Sequence, residues 1–147
     1  MAMSSALPAP TVAEARRMDL IVQGGCICCW DFAELGSACE VHHLTEGGKH
    51  GQPRRGHAFT LGLCPWHHRG VVDGYAARLL GEDVSPAILL DRVGPSYAQQ
   101  PSAFRREFGG DDRLLELQSA RLVIVCAQYL IHPGRYADPA RTGGFAP

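Results

Sequence analysis

The sequence predicts an α+β fold: a small β-β-α unit stapled by cysteine and histidine, with helices flanking it. Three observations carry that expectation. Cys26 and Cys29 stand two residues apart, and Cys64 and His67 repeat the spacing. Between the two pairs lie short β-like runs rather than one long helical pattern. Seventeen glycines and ten prolines in 147 residues favour short elements joined by loops, and a domain with so modest a core often recruits a metal to hold itself together.

Taken in order, residues 1–10 are rich in Ala, Pro and Ser and are expected to be disordered. A single domain is expected over 11–131. Its first helix starts behind Thr11 as a possible cap and stops at Gly24-Gly25. The run Cys39 to Leu44 is strand-like, Glu46 to Gly56 is a glycine-rich loop, and Phe59 to Leu63 is the second strand. Pro65 can open a helix as its first residue, so the β-β-α core is placed at about 39–70. Residues 71–93 read as an insertion: Val71 to Leu80 extends the helix or forms another, and Pro86 to Val93 is a short apolar run whose role is not legible. Pro101 to Phe108 suggests a helical turn or two, closed by Gly109-Gly110. The strongest helix runs from Asp111 to about Ile131, with acidic residues first and an apolar stripe through Leu115, Leu122, Cys126 and Tyr129. Residues 132–147 are expected to be a flexible tail.

Composition excludes some classes and leaves others open. No apolar run approaches the roughly 18 residues of a membrane span, and residues 1–10 carry neither a basic leader nor an apolar core of a signal peptide. A cytoplasmic protein with no membrane partner is the expectation, and in a reducing compartment six cysteines favour thiols or metal ligands over disulfides. A net charge of −1 gives no hint of nucleic acid. Any DNA contact must therefore come from local cations, for which Lys49, Arg54 and Arg55 in the loop, Arg69, and the pair Arg105-Arg106 are candidates.

Two thiolates two residues apart can be presented by one tight knuckle to a tetrahedral ion at about 2.3 Å. Cys26, Cys29, Cys64 and His67 thus form a candidate Cys₃His set for a structural Zn²⁺. Cys28 competes with Cys29, which is preferred because Cys26-x-Cys28 would force an awkward bite. Of the six other histidines, His42, His43, His57 and His68 are candidates for other work. His42 and His43 are consecutive on a strand and point to opposite faces, which suits unequal roles: one a ligand, the other a base with a pKa near neutrality. His68 is rotated about 100° from His67 around the helix and can face the strand pair.

These residues resemble the HNH (ββα-metal, His-Me finger) nucleases, whose pattern is a Cys-x₂-Cys, a base histidine behind an acidic or histidine ligand, and a final Cys-x₂-Cys-His. Here His67 stands for the second Cys of the last motif. The resemblance places the general base on His43, metal ligands on His42 and His68, and leaves His57 as the candidate substitute for the middle Asn, since Phe59 and Thr60 stand just before Leu63-Cys64. More narrowly, Gly25-Cys26-Ile27-x-Cys29, Glu40 to Leu44, Leu61 to Gly70, Gly94-Pro95-Ser96 and Phe104 to Gly109 look like the phage recombination enhancement function nucleases, over roughly residues 20–70 and 94–120. That resemblance implies a RecA-dependent enzyme that cuts DNA in the context of RecA filaments, using a divalent metal such as Mg²⁺ or Mn²⁺, with imidazole ligands also admitting Zn²⁺. No aromatic platform or recognition helix is evident, so cutting should be weakly sequence-specific. The rival expectation is a zinc-knuckle module that binds nucleic acid or protein without catalysis.

Overall fold

The computed structural model describes residues 6–29, 38–48, 51–74, 77, 81 and 83–131. Lys49 and the tail 132–147 lie outside the described residues. The fold is α+β, and its order follows local signals in the sequence. Helix α1, Val12–Gly24, begins at a capping box in which Thr11 Oγ1 accepts from the Glu14 amide at 3.3 Å and the Glu14 carboxylate accepts from the Thr11 amide at 2.8 Å. Gly25, at φ 76°, turns the chain out of it.

Strands β1, Glu40–His43, and β2, Thr60–Leu63, form an antiparallel two-stranded sheet. The register pairs Glu40 with Leu63, Val41 with Gly62, His42 with Leu61 and His43 with Thr60. Helix α2, Pro65–Arg69, follows directly, with proline in its first turn and Gly70 at φ 71° closing it. The far edge of β2 is not left open. The Gly62 amide donates to Gln118 Oε1 at 2.8 Å, and the Gly62 carbonyl accepts from the Ile27 amide at 3.0 Å. Glycine is required there, because a Cβ would lie 2.9 Å from Ile21 Cγ2 and 3.0 Å from the Gly25 carbonyl.

Among the described residues three further helices cover this unit: α3, Pro86–Val93; α4, Pro101–Phe108; and α5, Asp111–Ile131. Leu44, Leu61, Leu63, Trp66, Leu89, Phe104 and Leu114 are buried between them. The inward face of α5 differs from the expected stripe. Leu114, Gln118 and Val125 are buried, whereas Cys126 is exposed, Leu115 and Leu122 are half-buried, and the Tyr129 side chain is outside the described residues. Positions 114, 118 and 125 share a helical face. Apolarity alone shifted the stripe by one residue, because Gln118 faces inward to bond β2. Among the described residues no helix is long and apolar enough to cross a membrane.

Candidate metal centre and histidine cleft

The two knuckles meet because the hairpin brings them together. Cys26 to Cys29 follow α1 and are docked on β2 by the Ile27 amide, while Cys64 follows β2 directly and caps α2, its sulfur accepting from the His67 amide at 3.4 Å. Two thiolates held at about 2.3 Å around a tetrahedral ion lie about 3.8 Å apart, and a thiolate and an imidazole nitrogen about 3.6 Å. Sγ of Cys29 and Cys64 are 3.8 Å apart. Nδ1 of His67 is 3.5, 3.3 and 3.2 Å from the sulfurs of Cys26, Cys29 and Cys64.

A second observation fixes which nitrogen of His67 faces the sulfurs. Nε2 lies 2.9 Å from the Val93 carbonyl, which can only accept, so a neutral ring keeps its proton on Nε2 and turns the Nδ1 lone pair to the sulfurs. Burial opposes protonation, but hydrogen bonds to Cys26 and Cys64 outweigh it and raise the His67 pKa to about 10, so a cation would have to displace the second proton. Crowding sets the thiols against one another. Burial opposes ionisation of Cys26, but hydrogen bonds from Cys28, Cys29, Cys64 and His67 outweigh it and hold its thiol well below the ordinary range. Hydrogen bonding to Cys26 and Cys64, reinforced by burial, pushes the Cys29 thiol far up. Four donors whose proton demands conflict are relieved when a cation replaces the protons. This buried Cys₃His group could hold a metal such as zinc. Cys28, buried next to it, is not part of the group.

The pleat of β1 sends His42 and His43 to opposite faces. On the α2 side, Nδ1 of His42 lies 3.0 Å from Nε2 of His68. Adjacent ligands of an octahedral ion at about 2.1 Å are about 3.0 Å apart, so this pair also suits a divalent cation. His68 is oriented from behind: its Nδ1 donates to Glu40 Oε2 at 2.6 Å, leaving Nε2 to face His42. The same carboxylate takes two hydrogen bonds from Arg69, at 3.0 and 2.5 Å. Burial, with added repulsion from His68, His43 and Arg54, lowers the His42 pKa to about 4, so its ring is neutral, the form a metal ligand needs. The Tyr97 ring packs 4.8 Å from His42, and both line a cleft of about 660 Å³ with His68, Arg69 and Arg105.

On the other face, Nε2 of His43 is 2.9 Å from Nδ1 of His57, and Nε2 of His57 is 2.8 Å from the Pro8 carbonyl. Burial, then Arg54 and His57, lowers the His43 pKa. The cations singled out in the sequence are dispersed. Arg69 is engaged by Glu40, Arg55 lies 4.1 Å over the Phe59 ring, Arg105 donates to the Gly48 carbonyl at 2.5 Å, and Arg54 and Arg106 are exposed. Glu40 is not singled out by the sequence reading, although the strand period carries a signal for it: it sits two residues before His42 and therefore on the same face of β1. Tyr97 and Val93 had no local signal.

With that geometry in place, the comparison with known families is decisive. The model of the family described as recombination enhancement, RecA-dependent nuclease matches residues 10–123. The chain belongs to that family. The recombination enhancement nuclease family's description indicates nuclease action in recombination, which suggests DNA as the substrate, and its matched span contains all four Cys₃His residues together with His42, His43, His57 and His68. Comparison with curated proteins and with solved structures gave no match.

Proposed function

We propose that the chain is a metal-dependent DNA endonuclease of HNH (ββα-metal) type, acting with weak sequence preference on RecA-coated or recombination-associated DNA. The convergence of His42 from β1 and His68 from α2 at 3.0 Å carries the reading. His43 turns to the other face at the last residue of β1, so the scissile phosphate must be reached from both sides of that strand end. A zinc at Cys26, Cys29, Cys64 and His67 holds the hairpin against α2. His42 and His68 would hold a divalent cation, Mg²⁺ or Mn²⁺, which supplies Lewis-acid stabilisation of the charge that grows on the phosphate and the leaving oxygen.

His43 acts as general base, taking a proton from the attacking water as the new P–O bond forms and the P–O3′ bond breaks. Its lowered pKa keeps the imidazole in the free-base form at neutral pH. His57 bonds to it from behind. Arg54 and Arg55 on the hairpin arm and Arg69 beside the cleft, with Lys49 of the loop, are assigned to phosphates as in the sequence reading.

The test compares wild type with His43→Ala on single- and double-stranded DNA, with Mg²⁺ or Mn²⁺, with and without RecA filaments. Cutting lost in the variant while zinc is retained supports the proposal. A wild-type protein that binds DNA and never nicks it under these conditions would instead be a zinc-knuckle binding module.

A further inference from the structure

His43 and His57 are linked through ring nitrogens, and the direction of the protons follows from the chain's end. The Pro8 carbonyl can only accept, so the proton of a neutral His57 sits on Nε2. Nδ1 of His57 then holds a lone pair, and at 2.9 Å it accepts from Nε2–H of His43. Nδ1 of His43 is thereby left unprotonated, with no hydrogen-bond partner among the described residues. One backbone carbonyl decides which nitrogen of a histidine two rings away can take a proton.

The carbonyl comes from an unexpected place. Pro8 precedes α1 and lies outside the residues 10–123 that match the family, so this acceptor is supplied by a part of the chain the family pattern does not reach. The segment is stiffened by Pro8 and Pro10 on either side of Ala9, and it leads straight into the capped start of α1. The rest of the layer is also braced: His57 O accepts from Thr60 Oγ1 at 3.0 Å, and Thr60 O accepts two bonds from Arg17 of α1, each at 3.1 Å. His57 is therefore fixed from the sheet, from α1 and from the chain ahead of it.

We propose that His57 and the carbonyl of Pro8 are positioning groups for His43, so that the segment ahead of α1 belongs to the cleavage machinery. The inference rests on His43 being the base. Removal of the proton from water places it on Nδ1 of His43, and Nε2–H remains bonded to His57, so the ring need not turn during the reaction.

The test uses the full chain with zinc bound. Nitrogen-15 NMR of the imidazoles should show His43 as the Nε2–H tautomer in wild type. Replacing Pro8, Ala9 and Pro10 together by glycine, which frees the carbonyl, should give a tautomer mixture and lower kcat at least tenfold, with KM for DNA and zinc content unchanged. His57→Phe should act likewise. His57→Gln, whose side-chain oxygen can accept from His43, should restore most of the rate. An Nδ1–H tautomer in wild type, or wild-type kcat in the triple-glycine or His57→Phe variant, overturns the positioning role while leaving the base intact. Full-rate cutting by His43→Ala overturns the base assignment itself.

Discussion

Glu40 Oε2 accepts from Nδ1 of His68 at 2.6 Å, and the two residues come from different elements of the hairpin and helix. That contact turns Nε2 of His68 toward His42. Glu40→Gln is expected to raise the Mn²⁺ concentration needed for half-maximal cleavage by about 10- to 100-fold, without loss of zinc. An unchanged metal titration would show that the carboxylate does not tune the site.

The buried Gln118 should matter to stability although it is not itself one of the Cys₃His residues. In Gln118→Leu the Gly62 amide loses its acceptor at 2.8 Å, and an unpaired buried amide costs about 1–3 kcal/mol. Urea unfolding should show a lower midpoint with the slope preserved. A midpoint equal to wild type would mean that water reaches the edge of β2.

Zinc content should separate the neighbouring cysteines. Cys29 lies within reach of Cys64 and His67, and Cys28 does not belong to the group. Cys29→Ser and Cys64→Ser should therefore lose zinc and cooperative unfolding, while Cys28→Ser keeps both. Metal analysis of the purified variants checks this directly, and zinc loss in Cys28→Ser alone would reverse the assignment.

Thiol chemistry offers a pH-dependent test. Cys126 is exposed, whereas Cys39 is half-buried, its thiol hydrogen-bonded to the Ile21 carbonyl at 3.4 Å. Burial, with repulsion from Cys26 and Cys64, pushes the Cys39 thiol up to about 12, so at pH 8 about one molecule in ten thousand carries that thiolate. Because the folded value is raised, ionisation opposes the fold only as pH climbs toward it. In zinc-loaded protein at pH 8, iodoacetamide should modify Cys126 long before Cys39, as peptide mass analysis would reveal. Comparable rates would indicate that the α1–β1 contact opens readily.

The parts legible in the sequence are those specified by near neighbours. Thr11 and Glu14 announce the start of α1, Pro65 the start of α2, and two x₂ spacings the metal group; each depends on residues within four positions of one another. The separation of His42 from His43 followed from the strand period alone. What was not legible depends on distant partners. Gln118 reads as a polar surface residue until Gly62 is placed beside it, 56 residues away. The segment 71–93 showed no purpose in sequence, yet its last residue, Val93, fixes the tautomer of His67, and Gly94 accepts from the Trp66 indole at 2.8 Å. Pro8 could not be linked to His57 without a fold.

Helix α2 is only five residues long, Pro65–Arg69. A helix that short does not persist in water by itself. His67 and His68, consecutive within it, face the Cys₃His group and the cleft respectively. The short helix is therefore a shared hinge pin: whatever ties Cys26, Cys29 and Cys64 to His67 also sets where His68 stands in the cleft, so on the proposed reading a molecule starved of zinc would lose the cleft's geometry along with the knuckle.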